Sequence, residues 1–295
     1  MGFCFTADDF GSSSETNHAI IKAHQAGTLH AASLMMGEAA TQEAVALAKA
    51  NPLLRVGLHV VVTDGKSVLP QDEIPDLVSA DRWFPQSAAH TWLKYFFHPR
   101  LRAQLQKEID AQFEAFLQTG LRLSHVDGHH HQHIHPLIFR RVIQLAKEHR
   151  AQWVRIPREN LKIWKLASET PNFLKWLHGL LYYVMTRKMR EKLTREGFLA
   201  FDGVFGFLDT WHMSKEYVLK ILEVNPPGNY EMYFHPGASW NHDLEILLDP
   251  AVINTLKKLE KTTEHPGSRD EVPSALAVGK AAQNKTIESQ ARSES

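Results

Sequence analysis

Short apolar, β-prone runs alternate with segments of helical period from Phe3 to Leu259. Strands separated by helices pair in parallel, with the helices crossing over outside the sheet. The runs are 3–7, 31–36, 54–61, 121–126, 153–156, 199–205 and 231–234. Between them, Ser12 with Glu15 forms a capping box for a helix that Gly27 stops, and 42–50 is Ala-rich and closed by Asn51-Pro52. Leu101, Leu105, Ile109, Phe113 and Phe116 recur at helical spacing before Gly120. Pro136 opens another helix at its first position, and 217–222 and 244–259 read as the last two. An ordered length of about 260 residues suits an α/β (β/α) barrel, typically about 250, in distorted or incomplete form. An open doubly wound sheet fits the alternation too. In either fold the site lies at the C-terminal ends of the strands.

Those ends carry the chemistry. Asp8 and Asp9 follow the first strand, His59 ends the third, and His125, Asp127 and His129 follow the fourth. Arg155 ends the next and His235 the last. Two adjacent carboxylates cannot both stay ionised cheaply without a cation or strong donors beside them. Residues 124–135 contain six histidines, and neutral imidazole is the commonest metal ligand. A solvated turn, a satisfied core histidine and a His-rich surface loop are the bland readings of these pieces. Their convergence on one face favours a site. Two imidazoles and a carboxylate with an open position are the usual shell of a catalytic divalent metal. A second carboxylate can then take a proton from water.

Composition excludes other classes. The 295 residues have a formal net charge of zero, so no global field recruits nucleic acid. The single cysteine, Cys4, forbids an internal disulfide and, with no basic leader, points to the cytoplasm. Gly2 and Thr6 fit a myristoylation pattern, but in a stretch that reads as buried strand. No run reaches the roughly 18–20 apolar residues that span a bilayer.

Two segments break the rhythm. The connection 64–98 is long and carries Trp83, Phe84, Trp92, Tyr95, Phe96 and Phe97. Residues 161–190 mix apolar and aromatic side chains with Lys162, Lys165, Lys175, Arg187, Lys188 and Arg190. They read either as a core helix or as one lying on a membrane surface. The domain plan is therefore 1–260 with an apolar insertion at 161–190, and a polar, disordered tail at 261–295.

Three blocks, Thr6-Ala7-Asp8-Asp9-Phe10-Gly11, Gly57-Leu58-His59 through Gly65, and His125-Val126-Asp127-Gly128-His129 through His133, resemble the signatures of the YdjC-like carbohydrate deacetylases. Tyr233-Phe234-His235-Pro236-Gly237 fits near the end. Val62 and Ser67 depart mildly, at positions that carry no chemistry. Val68-Leu69-Pro70, Phe96 to Arg100 and Arg155 to Glu159 resemble the hopanoid biosynthesis-associated branch. That resemblance implies removal of acetate from an N-acetylglucosaminyl hopanoid, with a soluble chitooligosaccharide as the alternative substrate. It implies one divalent metal ion on Asp9, His59 and His129, zinc by its nitrogen ligands or magnesium. Asp8 is then the general base and His235 the acid toward the leaving amine. Arg155 binds substrate or orients a carboxylate, Asp127 holds a ligand histidine, and His125 and His131 stand behind the ligands or at the surface, where His133 is also placed. The partners implied are a glycolipid or amino sugar and peripheral membrane contact through 161–190; a homodimer is allowed. The competing class is a non-catalytic metal-binding protein, which has no use for a second aspartate.

Overall fold

The computed structural model describes residues 2–87, 92, 94, 95, 98–237 and 242–263. Seven strands form one sheet: β1 (Gly2–Phe10), β2 (Ala31–Leu34), β3 (Arg55–Val60), β4 (His125–Gly128), β5 (Trp153–Val154), β6 (Gly203–Phe205) and β7 (Asn229–Phe234). Their order is β5-β4-β3-β2-β1-β7-β6, and each pairing is parallel. The sheet curls into a distorted (β/α) barrel with helices outside it. Its edge strands β5 and β6 do not pair along their length. A single bridge, Trp153 to Leu199, and a Val204 N–H to Arg158 C=O bond of 2.9 Å span the seam.

The helices are α1 (Ser14–Ala26), α2 (Thr41–Ala50), α3 (Pro99–Gln118), α4 (Pro136–Glu148), α5 (Leu161–Ala167), α6 (Phe173–Arg195), α7 (Lys215–Val224), α8 (Asp243–Leu248) and α9 (Pro250–Thr263). Ser13, not Ser12, caps α1: its hydroxyl accepts from the Thr16 N–H, and Gly27 closes the helix at φ +86°. Pro250 divides the predicted 244–259 helix in two. The last helix runs three residues into the predicted tail; 264–295 lie outside the described residues, as do Phe96 and Phe97 of the aromatic connection.

Alternation along the strands sorts the chain. Cys4, Thr6 and Asp8 share one face of β1; Ser33, His59, Asp127, Arg155 and Tyr233 lie at matching positions on or just after their strands. The register pairs Thr6 with Tyr233, Ser33 with Gly57 and His59 with Asp127. This face is concave. The opposite one carries Phe5, Leu34, Leu58, Val126 and Phe234, all buried in the apolar core. Gly57 is required where it stands, because a Cβ there would lie 2.4–2.5 Å from the His125 ring.

Residues 161–195 form two helices separated near Pro171. Trp164 donates to Asp209 at 2.8 Å and Lys175 pairs with the same carboxylate at 2.5 Å, fastening both helices to the loop after β6. A Cβ on Gly179 would lie 2.5 Å from a Leu161 methyl and 3.0 Å from one of Leu208, so those side chains would have to shift. The outward surface of α6 is apolar: Phe173, Leu174, Leu177, Leu181 and Val184 are exposed. The segment is therefore not a core helix.

Candidate functional site

The sequence brings a 9-residue strand to its end with two carboxylates facing different surroundings. Asp8 continues the concave alternation and is buried. Asp9 adopts φ +61°, a left-handed turn that swings its side chain toward β3 and β4. Its Oδ1 lies 3.4 Å from His59 Nε2 and 3.1 Å from His129 Nδ1. That oxygen is buried and has no hydrogen-bond partner. The three ligand atoms lie within 4.8 Å of one another. A buried carboxylate oxygen aimed between two imidazole nitrogens, without hydrogen-bond geometry to either, fits a divalent cation.

The histidine orientations are set from behind. His59 Nδ1 donates to Asp127 Oδ1 at 2.7 Å, which leaves Nε2 as the nitrogen facing Asp9. Burial alone would lower the His59 pKa, but Asp127, Asp9 and Asp8 outweigh it and push it up to about 10. Burial would likewise raise Asp127; Arg155 and His59 hold it well below the ordinary value. Ser33 Oγ donates to Asp127 Oδ2 at 2.7 Å.

Arg155 ties the floor together. Its guanidinium donates to Asp8 at 2.6 and 2.8 Å, to Glu231 at 2.9 Å through Nε, and lies 2.9 Å from Asp127. It is fully buried. One cation thus faces three carboxylates, with Asp9 as a fourth nearby. The surplus negative charge is a second reason that a dication suits the floor. Burial raises the Glu231 pKa against the pull of Arg155.

His235 follows β7. Its backbone N–H donates to Asp243 Oδ2 at 2.7 Å, and its ring centroid lies 3.7 Å from that of Trp211. Burial lowers its pKa to about 4, against Asp9 and Asp8. His125 stands behind the ligands: it is stacked on Trp153 at 4.5 Å, bonded by Ser124 and Ser33, and lowered by burial to about 3. His131 Nε2 meets Tyr233 Oη at 3.1 Å. His133 is not at the surface. The turn His129–Ile134 carries left-handed residues at His130 and His131 and folds the chain back, so that His133 Nε2 donates to the Arg155 carbonyl at 2.8 Å in full burial.

The sequence patterns above do not single out Glu231 or Trp211. Glu231 could have been found from parity, because it lies two and four residues before Tyr233 and His235 on one face of β7. Nothing local marks Trp211, which reaches His235 through a turn at φ +69°.

The YdjC-like protein family model matches residues 3–258. The chain belongs to that family. It is 40% identical over 150 residues to a carbohydrate deacetylase of Vibrio parahaemolyticus serotype O3:K6, covering 51% of this chain and 57% of the relative. A carbohydrate deacetylase of Brevibacillus brevis is 36% identical over 157 residues, covering 53% and 60%. The chain thus spans less than two thirds of these relatives. A protein of Enterococcus faecalis V583 described as a cellobiose-phosphate cleavage protein superposes with a TM-score of 0.63 at 21% identity, over 87% of this chain and 94% of the other, which shows a shared fold.

Proposed function

We propose that this YdjC-like protein is a metal-dependent N-deacetylase of an acetylated amino sugar. The observation that carries this reading is the division of labour between Asp8 and Asp9: one is clamped by Arg155, the other points an unpartnered oxygen between His59 and His129. The name carbohydrate deacetylase, borne by the relatives, supports the sugar class.

Asp9, His59 and His129 would hold the cation. When bound, it supplies Lewis acidity toward the acetamide carbonyl and acidifies water, whose pKa a metal can bring from about 15.7 to roughly 7. Asp8 takes the proton of the attacking water. The bidentate Arg155 contact fixes the direction of this carboxylate. The water oxygen bonds to the acetyl carbon, the carbon–nitrogen bond breaks, and His235 passes to the leaving amine the proton that Asp8 took from the water. An imidazole whose pKa is depressed to about 4 is a strong acid once protonated and returns to neutral on giving its proton away.

For the acceptor we infer a hopanoid lipid, with α6 lying on an anionic membrane surface. The support is the outward apolar face of α6 and its charge: the helix carries six Lys or Arg and one Glu, in a chain of zero net charge. The inward side of α6 reaches the site, since Tyr182 and His178 pack on Phe207, and Phe207 on His131. No helix among the described residues is long and apolar enough to cross a membrane.

The test is acetate release by the zinc-loaded and the magnesium-loaded protein, offered N-acetylglucosaminyl hopanoid in vesicles and soluble chitobiose. Release from the lipid alone is expected. Release from chitobiose alone would keep the mechanism and discard the lipid acceptor. Release from neither, with metal bound, would discard the deacetylase reading.

A further inference from the structure

The rim of the concave face carries a second cluster that the reaction above does not use. Asp64 lies in the turn after β3, and His130 in the turn after β4. Their Oδ2 and Nε2 atoms are 3.1 Å apart, and each side chain is 38% exposed. With one ring nitrogen of His129, their donor atoms all lie within 4.8 Å of one another.

The backbone holds these two side chains in place at a cost. Asp64 sits at φ +47° and His130 at φ +50°, with His131 following at φ +55°. A non-glycine residue in this region is strained and persists only where its surroundings fix it. They do so here. The Asp64 N–H and the Thr63 hydroxyl both donate to the Pro85 carbonyl, at 3.1 and 2.8 Å, and His131 is tied to Tyr233. Among the described residues the ion pairs of Asp64 include no lysine or arginine; the partner there is the His130 imidazole.

We propose that Asp64 and His130, with His129, form an outer divalent-cation site, separate from the Asp9–His59–His129 site and sharing His129 with it. The proposal rests on the metal reading of that inner site. Two imidazoles and one carboxylate select a zinc-class metal over magnesium or calcium, which prefer oxygen. Partial exposure leaves the remaining coordination positions to water. Binding beside a filled inner site displaces the remaining ring proton of His129, which then bridges the two ions as an imidazolate, together with whatever proton Asp64 and His130 share, and no electron moves. Because one imidazole serves both sites, a cation on the rim draws on a ligand of the inner site and stands in front of the substrate. The outer site is therefore the weaker of the two, and filling it inhibits.

The test is equilibrium dialysis of the full chain against zinc, with bound metal counted per chain, in the wild type and in an Asp64→Asn, His130→Gln double variant. Two zinc ions are expected in the wild type, the second leaving first under a mild chelator. One is expected in the double variant. Acetate release should fall as the second ion binds to the wild type and stay level over the same zinc range in the variant. One ion at saturation in the wild type overturns the proposal, as do two ions in both proteins. The single variant His130→Gln gives the same reading if the double variant loses the inner ion as well. If no acetylated sugar yields acetate but the count still drops from two to one, the outer site stands and the deacetylase reading falls.

Discussion

On the concave floor, Asp8, Asp127, Arg155 and Glu231 are buried; on α6, Phe173, Leu174 and Val184 stand 65–75% exposed. The two regions invert the usual sorting of side chains in opposite directions. The floor makes good its desolvation internally, because nearly every buried charge faces an opposite charge or a hydroxyl. The helix does not: a single exposed leucine needs no explanation, but a cluster marks a surface with a partner. The floor can thus be understood from the chain and one cation, and α6 only with something laid against it.

The largest effect should come from breaking the floor's one strong cation. Arg155→Met leaves three carboxylates facing each other without a counter-charge, and should cost about 3–5 kcal/mol of stability in denaturant unfolding. An unfolding midpoint equal to wild type would mean that the carboxylates are protonated and the ion-pair account of the floor is wrong.

Next are the two aspartates. Asp8→Asn should lower acetate release by about 10²–10⁴-fold with metal retained. Asp9→Asn should lose the metal as well. Equal metal loss in both variants would erase the division of labour between them.

The floor should also be sensitive to acid. His125, His133 and His235 are lowered by burial to about 3, 4 and 4. The unfolded chain titrates near 6.5, so below that pH it binds protons the native state refuses. Stability from these groups is present above 6.5 and is lost as pH falls toward 4. His59 runs the other way in the metal-free protein: its raised pKa gives stability below 6.5 that is lost as pH rises toward 10. Thermal unfolding of metal-free protein across pH 4–10 should show both slopes, and a flat acid limb would contradict the buried, neutral histidines.

The smallest effect on stability belongs to α6. Replacing Leu174 and Val184 by glutamine should change unfolding by no more than about 0.5 kcal/mol each. Sedimentation with anionic vesicles should nevertheless drop. Unchanged vesicle binding would separate α6 from the membrane and turn attention to a second protein chain.

Much of the floor was legible because period-two alternation and strand order are written in the sequence. Once Asp8, His59, Asp127 and Arg155 are assigned to strand ends, a parallel sheet must bring them together. His133 was misplaced because a run of histidines has no period, and the left-handed turn that tucks it under Arg155 uses residues that rarely adopt one. The reach of 161–190 was visible, but not its break, nor which side faces outward; that depends on Phe207, Leu208 and Asp209, a dozen or more residues beyond the helix. Ser13 displaced Ser12 as the cap because either serine satisfies the local pattern.

The seam between β5 and β6 has a further consequence. Helices α5 and α6 leave the barrel after β5 and return before β6, at the one place where neighbouring strands are not laddered together. The proposed metal ligands and base sit on β1 and β3 and just after β4, none of them on the two strands that border that opening. A change in the outward surface of this excursion leaves the concave floor where it was. On the proposed reading, the chemistry and the choice of what carries the sugar are thus separately heritable, and descent can exchange the second while keeping the first.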